Sequence, residues 1–264
     1  MNHRERPDQV PDSTRTDASR YAVYYAPAAD SDWWQFGNTW LGRDPITGDL
    51  LHQPEVPGVA PERLAELTAE ARRYGLHATL KPPFRLAAAT RLASLSASIA
   101  RLAASRSPFP LGRVEVAMLG GFIALQVQDE PQELLEVAND CVEQLDAFRA
   151  VASAAELARR RSAGLTGSQD ELLQRWGYPF VFAEWQFHMT LTSRLGRAEA
   201  AGLLAWLRPH VERLNGAPLM VDSLCLFEEA VPGAPFRLIR RYGFDGSVTD
   251  YPGCVTAQDG PRKR

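Results

Sequence analysis

The chain has 264 residues, 45% of them hydrophobic and 23% charged, which is enough apolar material for a well-buried core in one large domain or two small ones. A formal charge of −3 gives no general attraction to polyanions, which disfavours a nucleic-acid coat or a membrane-surface protein and makes any phosphate preference local. Cys141, Cys225 and Cys254 show no CxxC spacing, so neither a disulfide framework nor a zinc site is expected, and a reducing cytoplasm fits.

Residues 1–19 are polar and charged, with Pro7 and Pro11, and are expected to form a flexible tail without the apolar core of a secretion signal. Residues 21–26 are β-rich and stop at Pro27. Ser31 then caps a predicted helix carrying Trp33, Trp34, Phe36 and Trp40. After a turn-rich stretch, residues 61–73 have helical spacing with proline in the opening turn, and Gly75 breaks the helix just before a short strand that Pro82-Pro83 should end. A helix over 90–105 follows, then strands over 113–119 and 122–127 joined by Gly120-Gly121, and a helix over 131–148. Residues 149–176 are rich in Ala and Arg and read as an inserted helical hairpin broken at 164–167. A strand over 181–191, a helix over 197–214 and a hairpin of 220–227 with 236–244 close the pattern, and 249–264 reads as a second flexible tail. No stretch approaches the roughly 18 to 20 uncharged apolar residues that a membrane span needs. The order predicts an α+β fold over residues 20–248: two pseudo-symmetric lobes with mostly antiparallel sheets, flanking helices and a cleft between the lobes.

One word occurs once in each half: His77-Ala78-Thr79-Leu80 and His188-Met189-Thr190-Leu191. Side chains alternate along a strand, so each copy sets one imidazole and one hydroxyl on a single face. If the halves fold against each other, two imidazoles and two hydroxyls converge, which is the minimum equipment for acid/base attack on a phosphodiester without metal.

The stretches Arg72-Arg73-Tyr74-Gly75-Leu76-His77-Ala78-Thr79-Leu80-Lys81-Pro82-Pro83-Phe84 and Phe187-His188-Met189-Thr190-Leu191-Thr192 resemble the two-histidine, or 2H, phosphoesterase superfamily, whose signature is a His-x-Thr/Ser-x word repeated once per lobe. More narrowly, they are similar to a bacterial branch encoded beside carbon-phosphorus lyase genes of phosphonate use. The resemblance implies a bilobed protein that acts on cyclic phosphodiesters or related phosphate esters without a cofactor.

The expected function is therefore a cytoplasmic, metal-independent hydrolase: a phosphodiesterase acting on a small phosphorylated substrate, a cyclic phosphate in particular. At neutral pH one of His77 and His188 would act as base and the other as acid, with the order left open, while Thr79 and Thr190 donate to the non-bridging oxygens. Lys81, four residues beyond His77, is a candidate phosphate-holding charge, and Thr192 continues the second strand's inward face. Tyr24 and Tyr178 are candidates to stack on the substrate or bond to it. Arg159-Arg160-Arg161 reads as a solvated helix face. Three rivals stand beside this reading: an RNA-end-processing enzyme acting on 2′,3′-cyclic or 2′,5′-linked termini, a non-catalytic module that binds a phosphorylated ligand, and a metallohydrolase, which the lack of HExxH and of a clustered Asp/His set disfavours.

Overall fold

The structure, a computed structural model, describes residues 19–162 and 164–252. Strand β1 (Arg20–Tyr25) leads into helix α1 (Asp32–Leu41), whose N-cap Ser31 accepts from the Trp34 amide. Helix α2 (Pro61–Arg72) precedes β2 (Ala78–Phe84), and α3 (Leu92–Ala104) precedes the short β3 (Phe109–Pro110) and the hairpin β4 (Val114–Leu119) and β5 (Phe122–Val127). Then come α4 (Gln132–Gln144), α5 (Ala154–Arg161), α6 (Gly167–Trp176), β6 (Met189–Thr190) and α7 (Arg197–Leu214). The chain closes with β7 (Met220–Val221), β8 (Ser223–Glu229), β9 (Arg237–Gly243) and β10 (Val248–Asp250).

This is a mixed α+β fold with antiparallel sheets. The larger sheet has the order β10-β9-β8-β1-β2, the smaller the order β4-β5-β6, and β3 pairs with β7. The sheets are unequal, and one apolar core runs through both, taking Val23, Leu80 and Leu226 from the larger and Val116, Leu125 and Met189 from the smaller. Strand β1 sits between β8 and β2 and is covered on both faces: Tyr21, Val23 and Tyr25 join that core, whereas Ala22 and Tyr24 join a smaller cluster with Phe227, Phe236 and Leu238. Near-continuous burial accounts for its unbroken apolar sequence.

Several expectations change. Pro82 and Pro83 do not end β2: they sit on an edge strand at the register irregularity between Lys81 and Phe84, where the ladder to β1 is already interrupted. The strand expected over 181–191 shrinks to β6: Phe182 takes a left-handed φ of 55° that breaks the extension, a 3-10 turn follows at Phe182–Glu184, and only Met189 and Thr190 find partners on β5. The hairpin segment expected from 220 splits, since Met220 and Val221 pair with β3. Of the two expected tails, residues 1–18 and 253–264 lie outside the described residues. Ser19 is buried and donates to the Ala230 carbonyl (2.9 Å), and Thr249 and Asp250 belong to β10. No helix among the described residues is long and apolar enough to cross a membrane.

Candidate active site

A buried arginine shapes the approach to the first word. Arg43 donates to the carbonyls of Arg72, Arg73 and Phe236 (3.3, 3.4 and 2.8 Å), tying the end of α2 to the start of β9. The chain then turns at Gly75, whose φ of 81° and closeness to Pro45, 2.8 Å from where a Cβ would stand, admit only glycine. The Gly75 carbonyl lies 2.9 Å from His77 Nδ1. A carbonyl only accepts, so Nδ1 carries the proton and Nε2 of the neutral ring is left with its lone pair. The second word repeats the device, with His188 Nδ1 2.9 Å from the Gln186 carbonyl. Trp185 joins the two segments by donating from Nε1 to the Thr79 carbonyl (2.8 Å).

His77, Thr79 and Thr190 line one cavity of about 420 Å³, together with Arg20, Tyr24, Glu70, Tyr74, Arg159, Arg160 and Tyr178. Its volume suits a small ligand. A larger cavity of about 610 Å³ beside Leu50, Leu51 and His52 gathers no comparable set of functional groups. His77 stacks obliquely on Tyr24 (centroids 4.0 Å apart) and lies 5.5 Å from the Tyr74 ring. Burial, with a smaller push from the nearby His188, brings its pKa down to about 4 against the opposing Gly75 hydrogen bond. His77 is thus a neutral proton acceptor at physiological pH. His188 does not line the cavity itself; its ring lies 6.0 Å from Phe122. Burial also raises the phenols of Tyr24 and Tyr178, so both remain protonated.

Two of the expected binding residues stand elsewhere. Strand pairing sets Tyr24 opposite Thr79 but Val23 opposite Lys81, so one extra residue, Leu80, bulges out of β2. Directly paired residues share a face, hence Thr79 shares the cavity side with Tyr24 while Lys81 follows Val23 into the core. There the Lys81 ammonium donates to the Val142 carbonyl (3.0 Å) and meets Asp146 (3.4 Å), and burial lowers its pKa to about 8. Thr192 is buried too, its hydroxyl accepting from the Ile123 amide (2.9 Å). Both are structural in this geometry.

Two residues that the sequence reading treated as solvated line the cavity: Arg159 and Arg160 on α5. Arg160 stands 5.0 Å above the centroid of Tyr178, whereas Arg161 pairs with Asp170. A basic run on a polar helix carries no sign of which of its members face inward, so nothing in the pattern marked them. Arg20 also reaches the cavity while paired with Glu229. Among the described residues no three His, Cys, Asp or Glu side chains group as metal ligands.

The site is an arginine- and hydroxyl-lined pocket that presents a neutral imidazole, on an α+β scaffold. Residues 79–237 match the family described as protein of unknown function (DUF1045), and the chain belongs to that family. It is 41% identical over 233 residues to the ribose 1,5-bisphosphate phosphokinase PhnN of Janthinobacterium sp. (strain Marseille), covering 86% of this chain and 51% of the relative. It is 38% identical over 221 residues to the protein of the same name in Laribacter hongkongensis (strain HLHK9), covering 84% of this chain and 51% of the relative. The chain thus spans about half the length of the curated relatives it matches. Their names describe a phosphokinase, a transferase, and this overturns the expectation of a hydrolase of the phosphodiesterase type. The repeated word brings one imidazole and two hydroxyls to the cavity and does not by itself say which bond is made or broken.

Proposed function

We propose that this chain carries the phosphorylated-ribose site of a phosphoryl-transfer enzyme, working in the cytoplasm in phosphonate metabolism. The observation that carries the reading is the meeting of both His-x-Thr words at one cationic cavity: His77, Thr79 and Thr190 beside Arg20, Arg159 and Arg160. His77 Nε2 accepts from a sugar hydroxyl, and Thr79 and Thr190 donate to phosphate or ring oxygens. The relatives' names supply ribose 1,5-bisphosphate as the first ligand to try. The 264 residues contain no Gly-x-x-x-x-Gly-Lys-Ser/Thr loop, so the proposal concerns the sugar phosphate rather than a nucleotide. The reading includes kinship of site architecture with the two-histidine superfamily, and pseudo-symmetry about the cavity, since each word opens a strand and each Nδ1 bonds the carbonyl two residues back.

Calorimetric titration with ribose 1,5-bisphosphate, ribose 5-phosphate and free ribose tests it. Saturable binding of the phosphates and none of ribose is expected, weakened at least about tenfold in His77→Ala, in keeping with the loss of one buried hydrogen bond. Failure of both phosphates to bind overturns it.

A further inference from the structure

Among the arginines at the cavity, Arg20 is held by Glu229, whereas Arg159 and Arg160 make no direct ion pair among the described residues and sense Glu156, which bonds Arg85, only through space. Arg160 stands over the Tyr178 ring, its guanidinium carbon 5.0 Å from the centroid, a cation–π contact that holds its charge beside the cavity. The helical pair that carries both arginines is tied to β2 at two points. Arg85, just past β2, pairs with Glu156 of α5 (3.0 Å). At the other tie, Lys81 of β2 meets Asp146, which pairs with Arg149 (2.8 Å), and Arg149 donates to the Arg175 carbonyl near the end of α6 (3.1 Å). The strand that presents Thr79 and follows His77 therefore also sets where the arginines stand.

Resting on the function proposed above, we infer that Arg159 and Arg160 form a clamp for a terminal phosphate monoester, with a sugar hydroxyl of the ligand turned toward His77 and its ring oxygen toward Thr79 and Thr190. Two guanidinium groups without a direct ion pair match a group carrying close to two negative charges at neutral pH, and their planar forks can bond its oxygens in pairs. A phosphodiester, with one charge and one oxygen blocked, satisfies only part of the clamp. The site's preference is thus for open monoesters.

The test is calorimetry at pH 7.5 with ribose 5-phosphate and its methyl diester. The parent should bind the monoester about tenfold or more tightly than the diester, and R159A/R160A should lose about thirtyfold or more for the monoester and little for the diester, as charge-assisted contacts disappear. R161A, whose arginine pairs with Asp170, should stay within about twofold. If R159A/R160A loses its circular dichroism, R159K/R160K reports instead: a fivefold or greater loss is expected, since lysine keeps the charge but not the fork, and parental affinity overturns the clamp. Undiminished monoester binding in folded R159A/R160A, with His77→Ala still defective, overturns the clamp and spares the site. No binding of ribose 5-phosphate or ribose 1,5-bisphosphate by the parent overturns both.

Discussion

Burial holds the His77 imidazole down to about 4, whereas in the unfolded chain it titrates near 6.5. Between those values the unfolded chain takes up a proton that the folded chain refuses, so this group's effect is to make stability fall as pH drops from about 6.5 to about 4. The loss is about 2 to 3 kcal/mol at the acid end. Melting temperatures of the parent and His77→Gln at pH 7 and pH 4.5 should diverge, the parent losing more; identical losses would show that His77 is freely protonated. The threonines make a separate prediction. Thr79→Ser and Thr190→Ser should keep ribose 5-phosphate affinity, while Thr→Val at either position should weaken it about tenfold, because only the hydroxyl can bond the ligand. Equal effects of Ser and Val would assign the residues to packing. At this scale the repeated word identified which threonines meet beside His77, because a two-residue period survives into the fold. Lys81 and Thr192 obeyed the same period on paper and still point elsewhere, since a one-residue bulge on β2 and a hydrogen bond to Ile123 are set by partners far along the chain.

Turns decide how the elements deliver these side chains. Gly75→Ala forces a left-handed backbone on a residue with a Cβ and drives that Cβ toward Pro45. Urea denaturation should show a loss of about 1 to 3 kcal/mol, and ribose phosphate affinity should fall with it because the Gly75 carbonyl orients His77. In Glu156→Ala, α5 loses both its capping box and its tie to Arg85. Hydrogen exchange should quicken across α5 and α6 while α3 and α4 keep their protection; uniform exchange would mean that the pair is not a separate opening unit. The elements legible beforehand were those with strong local signals, such as α7, expected over 197–214 and found there, and the Gly120-Gly121 hairpin of β4 and β5. The strand before His188 misled because β-rich composition says nothing about whether a partner exists, and β5 offers β6 only two residues.

For the molecule as a whole, one core shared by both sheets predicts that they unfold together. Near- and far-ultraviolet circular dichroism should follow a single coincident urea transition, and two separated transitions would indicate lobes that stand alone. The edge of the larger sheet has a further consequence, for life at high concentration. An open edge strand is a template on which a second chain can lay down its own backbone, and β2 is such an edge, starting immediately after His77. Successive amides along a strand point to opposite sides, so one of Pro82 and Pro83 removes a donor from the open edge, and a visiting strand finds a gap in the row it would pair with. The prolines that looked like the end of a strand thereby act as its guard, keeping copies of the chain from zipping together along the edge that leads into the pocket.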